Sequence, residues 1–295
     1  MHFLKIATSV LVLYILFLIG FSPLTGCTKT ITEHDTTVKT IHDTTIKNIH
    51  DTTIKNIHDT IYDTLYCLHA GLIAYYNFNG GNLNDSSGYG NHIYFSNAVT
   101  KTADRFGRPN NAYYFDGING QMRVHNSPSL NPTNITLVAI VNFQGFNSGI
   151  CMANQILMKG LRDQDGGLYG LRVLTNNGSC SYIVDTTNEK LAGYYGDDFF
   201  GANGAFGANT PIHTNNWVTL VYTYDGYVHN VYINGELVGT NAVQVNFTPT
   251  ANDLTIGRTY NDPFPYPFTG IMDEIRIYNR ALSAAEVKYL NKISK

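Results

Sequence analysis

Ile135-Thr136-Leu137-Val138-Ala139-Ile140-Val141-Asn142-Phe143 decides the fold. Ile135, Leu137, Ala139, Val141 and Phe143 fall at every second position, so an extended chain places all five on one face. Working outward, short runs of the same character recur between turn signals. Leu72 to Phe78 is one, and Ala112-Tyr113-Tyr114-Phe115 ahead of Asp116-Gly117 is another. Trp217 to Tyr224 stops at Asp225-Gly226, and Leu254 to Ile256 and Ile271 to Tyr278 follow. Val231-Tyr232-Ile233 runs into Asn234-Gly235, a hairpin signal because both residues tolerate positive φ. The one helix expected is C-terminal. Ser283 caps it, Glu286 completes a capping box, and Val287 and Leu290 form its apolar side.

Composition agrees with an all-β reading. Only five of the 22 acidic residues are Glu (Glu33, Glu189, Glu236, Glu274, Glu286), and Glu is the acid of helix interiors. Charged residues make up 14% of the chain, which excludes a coiled coil or a highly charged disordered protein as the whole. A net charge of −3 gives no electrostatic reason to expect a nucleic-acid partner. Residues 68–295 are expected to form one two-sheet antiparallel jelly-roll sandwich with a short C-terminal helix.

The N-terminal quarter has a different organisation. Ile6 to Phe21 is an apolar run just short of a comfortable membrane span. It leads into Leu24-Thr25-Gly26-Cys27, which resembles a bacterial lipoprotein processing box. The resemblance implies that 1–26 is a lipoprotein signal peptide and that Cys27 carries the lipid. The chain would then be tethered to a membrane, as an outer membrane lipoprotein facing the periplasm or the cell surface.

His34-Asp35-Thr36-Thr37 recurs at residues 42–45 and 50–53, and again as His58-Asp59-Thr60-Ile61. A period of eight never forms a stripe on a helix but keeps equivalent residues facing one way on an extended chain. Each face gains one aliphatic residue per repeat, too little for a core. Residues 27–67 therefore read as an extended stalk, on the order of 130 Å when fully drawn out. Pairing of stalks side by side stays open. The histidines at 34, 42, 50 and 58 cannot converge on one metal while the chain is extended. The Asp-Thr triplets at Asp35, Asp43, Asp51, Asp59 and Asp63 resemble a Bacteroidetes O-glycosylation sequon. In an oxidising compartment Cys151 and Cys180 are expected to pair, leaving Cys67 free or linking two chains.

Residues 72–92 resemble the opening of laminin-G-like, concanavalin A-like domains in bacterial surface proteins, chiefly through Asp85-Ser86-Ser87-Gly88-Tyr89-Gly90-Asn91-His92. The likeness continues through Arg105-Phe106-Gly107, Tyr114-Phe115-Asp116-Gly117, Asn126 to Leu130, Trp217 to Gly226, Val231 to Val238 and Phe268 to Ser283. There are two departures. Ile140 stands where that family usually has Trp, and residues 144–212 match poorly.

That architecture hosts hydrolases, lectins and interaction modules, so function must come from a site. The resembling hydrolases carry a Glu-x-Asp-x-x-Glu strand, and a retaining reaction needs its carboxyl groups about 5 Å apart. No such strand occurs here, and Asp197 and Asp198 are sequence neighbours expected in a loop. No Ser/His/Asp motif, zinc motif or phosphate loop appears. A noncatalytic binding protein is expected, recognising a glycan or alternatively a surface protein. Two aromatic stretches could face a sugar ring, one with Tyr194, Tyr195, Asp197 and Asp198, the other with Tyr260, Phe264 and Tyr266. The resemblance further implies a structural calcium held by Asp273, with Asp116 and Asp85 beside it. The competing expectation for Asp273 is a salt bridge, because strand alternation puts it on the face of Ile275 and Ile277. Arg276 points the other way, so the partner would come from another strand.

Changing Cys27 to Ala is expected to leave the precursor uncleaved and to abolish lipid labelling. Normal processing of that variant, read by mass spectrometry of the membrane fraction, would remove the anchor.

Overall fold

The computed structural model describes residues 68–147, 153–160, 169–174, 190–196, 205–206, 211–259 and 265–295. The expected signal segment and stalk, and Cys27, Cys67, Cys151 and Cys180, lie outside these residues. The described chain forms two antiparallel sheets packed as a jelly-roll sandwich, with one short C-terminal helix.

The first sheet runs in the order β13 (Glu236–Ala242), β12 (Val228–Ile233), β11 (Trp217–Tyr224), β6 (Ile135–Gly145), β15 (Thr269–Tyr278), β4 (Ala112–Asp116), β3 (Val99–Thr102). β1 (Leu72–Tyr76) pairs with the second half of β15. The second sheet runs β10 (Ala205–Phe206), β9 (Lys190–Tyr195), β8 (Tyr169–Leu174), β7 (Ala153–Lys159), β14 (Leu254–Ile256), β5 (Gln121–Val124), β2 (Ile93–Asn97). Ile135, Leu137, Ala139, Val141 and Phe143 all enter the core between the sheets, as their alternation requires. The Asn234-Gly235 turn takes φ of 52° and 84°, the pair of positive values that a tight hairpin demands. Phe78 adopts φ 50°, and β1 ends before it, at Tyr76.

Between the sheets Tyr222 of β11 lies against Gly193 of β9. A Cβ at Gly193 would run into the Tyr222 ring, so glycine sets the spacing there. The Tyr222 hydroxyl is satisfied within the core by His229 Nδ1 at 2.7 Å.

The helix α1 (Ala284–Ile293) closes the outer face of the first sheet. Ser283 Oγ accepts from the Glu286 N–H while the Glu286 carboxylate accepts from the Ser283 N–H, the reciprocal cap that the sequence indicates. Val287 and Leu290 then pack on Val138, Val221, Tyr232 and Tyr278, the outward residues of β6, β11, β12 and β15. Arg280 holds Glu286 through both guanidinium nitrogens, at 2.7 and 3.1 Å. Burial lifts the Glu286 carboxyl, but Arg280 and the Ser283 donors outweigh it and leave the pKa below its usual value.

Changing Gly193 to Ala is expected to cost about 1–3 kcal/mol through overpacking against Tyr222. Combining it with Tyr222→Leu should return part of the loss, because the two sites couple through one contact. Denaturant midpoints of the two singles and the double check this. Strict additivity would show that Gly193 does not set the spacing.

Candidate functional site

The three aspartates expected at a metal are three separate structural acids. Asp85 Oδ1 accepts from the N–H groups of Tyr75 and Ser87, both at 2.8 Å. Its Oδ2 accepts from Ser87 Oγ at 2.8 Å and the Asn91 N–H at 3.0 Å. Asn91 in turn donates to the Ile73 carbonyl and Ser129 Oγ and accepts from Ser127 Oγ. The motif from Asp85 to Asn91 is thus a latch that ties β1, the loop before β2 and the Ser127–Ser129 turn together. Asp116 Oδ1 accepts from the N–H groups of Ile118, Asn119 and Gly120 at 2.9, 2.8 and 2.7 Å. Burial lifts its carboxyl, but these donors prevail and hold it below the usual range.

Asp273 corrects the simple alternation. A bulge in β15 between Met272 and Glu274 shifts the phase, so Met272 and Ile275 both reach the core. Asp273 does not share the face of Ile275; it and Glu274 meet the same arginine. Arg105, from the β3–β4 connection, reaches Asp273 with Nη1 at 2.5 Å and Glu274 with Nη2 at 3.2 Å. Its backbone N–H also donates to Asp273. Burial pushes the Asp273 carboxyl up and Arg105 pulls it back only in part, leaving it raised. Glu274 also binds Arg276 Nε, and the Arg276 guanidinium lies 4.5 Å over the Tyr75 ring. Burial works against the charge on Arg276, but Glu274 more than restores it. The partner does come from another element, as the salt-bridge expectation requires. Among the described residues no cluster of three His, Cys, Asp or Glu side chains is arranged for a metal.

Three of the residues expected to face a sugar ring are buried instead. Tyr194, Tyr195 and Tyr266 are 1, 1 and 2% exposed and present no open ring. As consecutive strand residues Tyr194 and Tyr195 face opposite ways. Tyr195 goes into the core, stacks on Phe247 at 4.5 Å and donates to the Pro132 carbonyl at 2.5 Å. Tyr194 goes to the outer face, where it lies over Gly170, donates to Gln155 Oε1 at 3.3 Å and receives Arg172 over its ring. Tyr266 joins the small apolar cluster of Ala153, Met158, Leu174, Ala192 and Tyr194. Asp197, Asp198, Tyr260 and Phe264 lie outside the described residues.

An exposed aromatic group sits instead at the other end of the second sheet. β2 bulges between Ile93 and Phe95, which turns out Tyr94, 44% exposed. Its ring stacks on His125 at 3.6 Å and 6°. The Tyr94 hydroxyl donates to Asp253 Oδ2 at 2.7 Å, and the Asn126 N–H donates to Asp253 Oδ1 at 3.1 Å. Arg123, paired with Phe95 across the strands, covers the Phe95 ring at 4.1 Å. Asn126 also borders an open hollow of about 430 Å³ with Pro128, Asn131, Pro249, Thr250 and Ala251. The buried Lys159 supports that rim from within, donating to Asn131 Oδ1 and the Thr250 carbonyl. Stacked rings with fixed polar neighbours are what a sugar face requires. Sequence reading misses this group because Tyr94, His125 and Asp253 come from three separate segments.

A family model described as the concanavalin A-like lectin/glucanases superfamily matches residues 115–288. No curated protein sequence matches the chain. Domain 4 of an extracellular arabinanase of the GH43 family from Geobacillus stearothermophilus, solved in complex with arabinotriose, is similar with a TM-score of 0.53 and 20% identity. The match covers 75% of this chain and 98% of that one. The receptor-binding domain of botulinum neurotoxin type G is similar with a TM-score of 0.53 and 18% identity, over 76% of this chain and 51% of that one. A Trypanosoma rangeli sialidase gives 0.50 and 16%, over 75% and 33%. The chain thus spans about half of the toxin domain and a third of the sialidase. These likenesses concern the fold.

Because Asp85, Asp116 and Asp273 each already accept from protein donors and no three-acid cluster forms among the described residues, excess calcium followed by a chelator is expected to leave the thermal midpoint unchanged. A ligand bound only by the folded state must raise it. A calcium-dependent rise that is lost in Asp273→Asn would restore the metal to this residue.

Proposed function

The chain belongs to the concanavalin A-like lectin/glucanases superfamily, and on that premise we propose that it is a noncatalytic glycan-binding protein. Lipid on Cys27 would hold it at the outer membrane, on the periplasmic or the cell-surface side, with the repeat stalk as spacer. The observation that carries the binding role is the stacked Tyr94–His125 pair with Asp253 fixed beside it. One face of the sandwich there offers ring surface and hydroxyl partners together.

Support for the noncatalytic part comes from the acids. Every described Asp and Glu is engaged by protein donors. Asp104 accepts from the Phe106 and Arg108 N–H groups. Asp225 accepts from those of Tyr227 and Val228. Asp253 serves Tyr94 and Asn126, Glu286 serves Arg280, and Glu236 faces Lys288 at 3.9 Å. Asp273 and Glu274 adjoin, but Arg105 and Arg276 hold both in place. General acid catalysis needs one carboxyl group free to exchange a proton with the substrate. The solved relatives named for arabinotriose and for receptor binding make carbohydrate the first ligand class to try.

A glycan array probed with the full chain, including arabinotriose and sialyllactose, is expected to give binding without release of reducing ends. Tyr94→Ala and His125→Ala should each weaken it by roughly two- to tenfold, the scale of one aromatic stacking contact. Sugar release abolished by a single Asp substitution would replace this reading with a hydrolase. An array that stays blank while a secreted protein binds would replace it with adhesion.

A further inference from the structure

On the outer face of the first sheet Arg105 Nε and Asn142 Oδ1 are buried without a hydrogen-bond partner; Arg105 lines a hollow there, and Asn142 stands beside its wall. Asn142 on β6 is flanked by the core residues Val141 and Phe143, so its side chain points outward. It is 9% exposed, and its Oδ1 has no hydrogen-bond partner. Arg105 spends its two terminal nitrogens on Asp273 and Glu274, while its Nε, also buried, has no partner. Buried polar atoms in native proteins are almost always satisfied, and each exception calls for a reason.

The hollow lies between the Arg105–Phe106 turn and the C-terminal end of α1 and encloses about 140 Å³. Arg105, Phe106, Ile140, Trp217, Thr219 and Asn291 line it. Asn142 stands directly across from Trp217 in the strand register and two residues along β6 from Ile140. It therefore stands next to the lining, beside Trp217. Trp217 is half-buried, and Phe106 is 48% exposed with Arg105 at 4.6 Å over its ring.

We propose that this hollow is a second carbohydrate site, on the sheet opposite Tyr94, taking one terminal ring of a neutral oligosaccharide. The inference rests on the glycan-binding reading but not on the Tyr94 platform. A sugar hydroxyl is both acceptor and donor, so adjacent hydroxyls of one ring can accept from Arg105 Nε and donate to Asn142 Oδ1. Trp217 supplies an apolar face with a polar N–H edge, the usual complement to a ring with hydroxyls at its rim. The volume suits a single ring end rather than a drug-sized ligand, which takes at least about 300 Å³. The paired charges favour a neutral ring: Arg105 and Arg276 are balanced by Asp273 and Glu274, and the one other charged side chain of the lining is Lys295, at its edge.

Trp217 is the only tryptophan in the chain, so its emission reports this hollow alone. Titrating the full chain with arabinotriose, xylotriose and cellotriose is expected to give a saturable emission shift with at least one of them. Tyr94→Ala should leave that titration unchanged. Asn142→Leu should weaken it at least about tenfold while the unfolding midpoint stays level or rises, because an orphaned amide adds nothing to the fold. A falling midpoint would mean that the Asn142 amide is satisfied structurally, and the site would fall. Calorimetric binding that depends on Tyr94 while Trp217 stays silent would overturn this site and leave the proposed function standing. No binding of any neutral or acidic glycan, by emission or by calorimetry, would overturn both. The wild-type emission titration decides even if Asn142→Leu does not fold.

Discussion

One extra residue in β15 governs how the first sheet is assembled. β15 pairs with β6 along its whole length, but on its other side it serves β4 with residues 269–272 and β1 with residues 275–278. The bulge falls at the hand-over. It keeps Met272 and Ile275 on the core side although they are three residues apart, and it turns Asp273 and Glu274 outward together. Both carboxylates are nearly buried, at 3 and 4% exposure, and neither is tolerable there without a cation. Arg276 serves Glu274 from the same strand. Arg105 must come from the β3–β4 connection, so that loop is fastened to the middle of the sheet. Removing one partner of such a group typically costs about 3–5 kcal/mol, far more than a surface ion pair contributes.

The turn that presents Arg105 is itself built by a carboxylate. Asp104 accepts from the Phe106 and Arg108 N–H groups and from Arg108 Nε. Burial opposes its charge, but those donors prevail and keep its pKa low. Asp85 and Asp116 follow the same pattern, each accepting from the N–H two residues on, in Asp85-Ser86-Ser87 and Asp116-Gly117-Ile118. Short acidic side chains bonding forward to their own backbone are turn makers. At Asp85, Asp104 and Asp116 the aspartates that mark the sequence report turn geometry.

Legibility in the sequence tracked residue type along each strand rather than burial, since β6 is buried at its first nine positions and β7 at all seven. β6, β11 and the second half of β15 alternate cleanly enough to read, and the capped helix announced itself through Ser283 and Glu286. β7, Ala153-Asn154-Gln155-Ile156-Leu157-Met158-Lys159, buries Asn154, Gln155 and Lys159 among its apolar residues and so carries no two-residue period. β9 holds Gly193, Tyr194 and Tyr195 in a run that looks like a loop rich in exposed aromatics. Its glycine instead admits Tyr222 from the opposite sheet, and Gly170 on β8 admits Tyr194 from above. Pairs of this kind, one small residue under one large ring, are invisible until the strands are in register. The bulges at Tyr94 and Asp273 are equally silent in the sequence, and both candidate surfaces depend on them.

Ile140 connects that limit to the chemistry of the first sheet. In the domains this chain resembles, tryptophan stands at that position. Here the single tryptophan is on the neighbouring strand, where Trp217 faces Asn142 while Ile140 faces Thr219. An indole at 140 would occupy the space between the Arg105–Phe106 turn and α1. Isoleucine is smaller and leaves that space open, with Trp217 forming a wall of it. The shift moves ring surface from the floor of the face to its side, beside an amide with no intramolecular partner. A core repaired for stability alone would have no reason to keep Asn142 there, since an aliphatic residue of similar size would avoid the desolvation of its carbonyl. The residue type at 142, and the missing bulk at 140, fit a face shaped for something that brings its own hydroxyls.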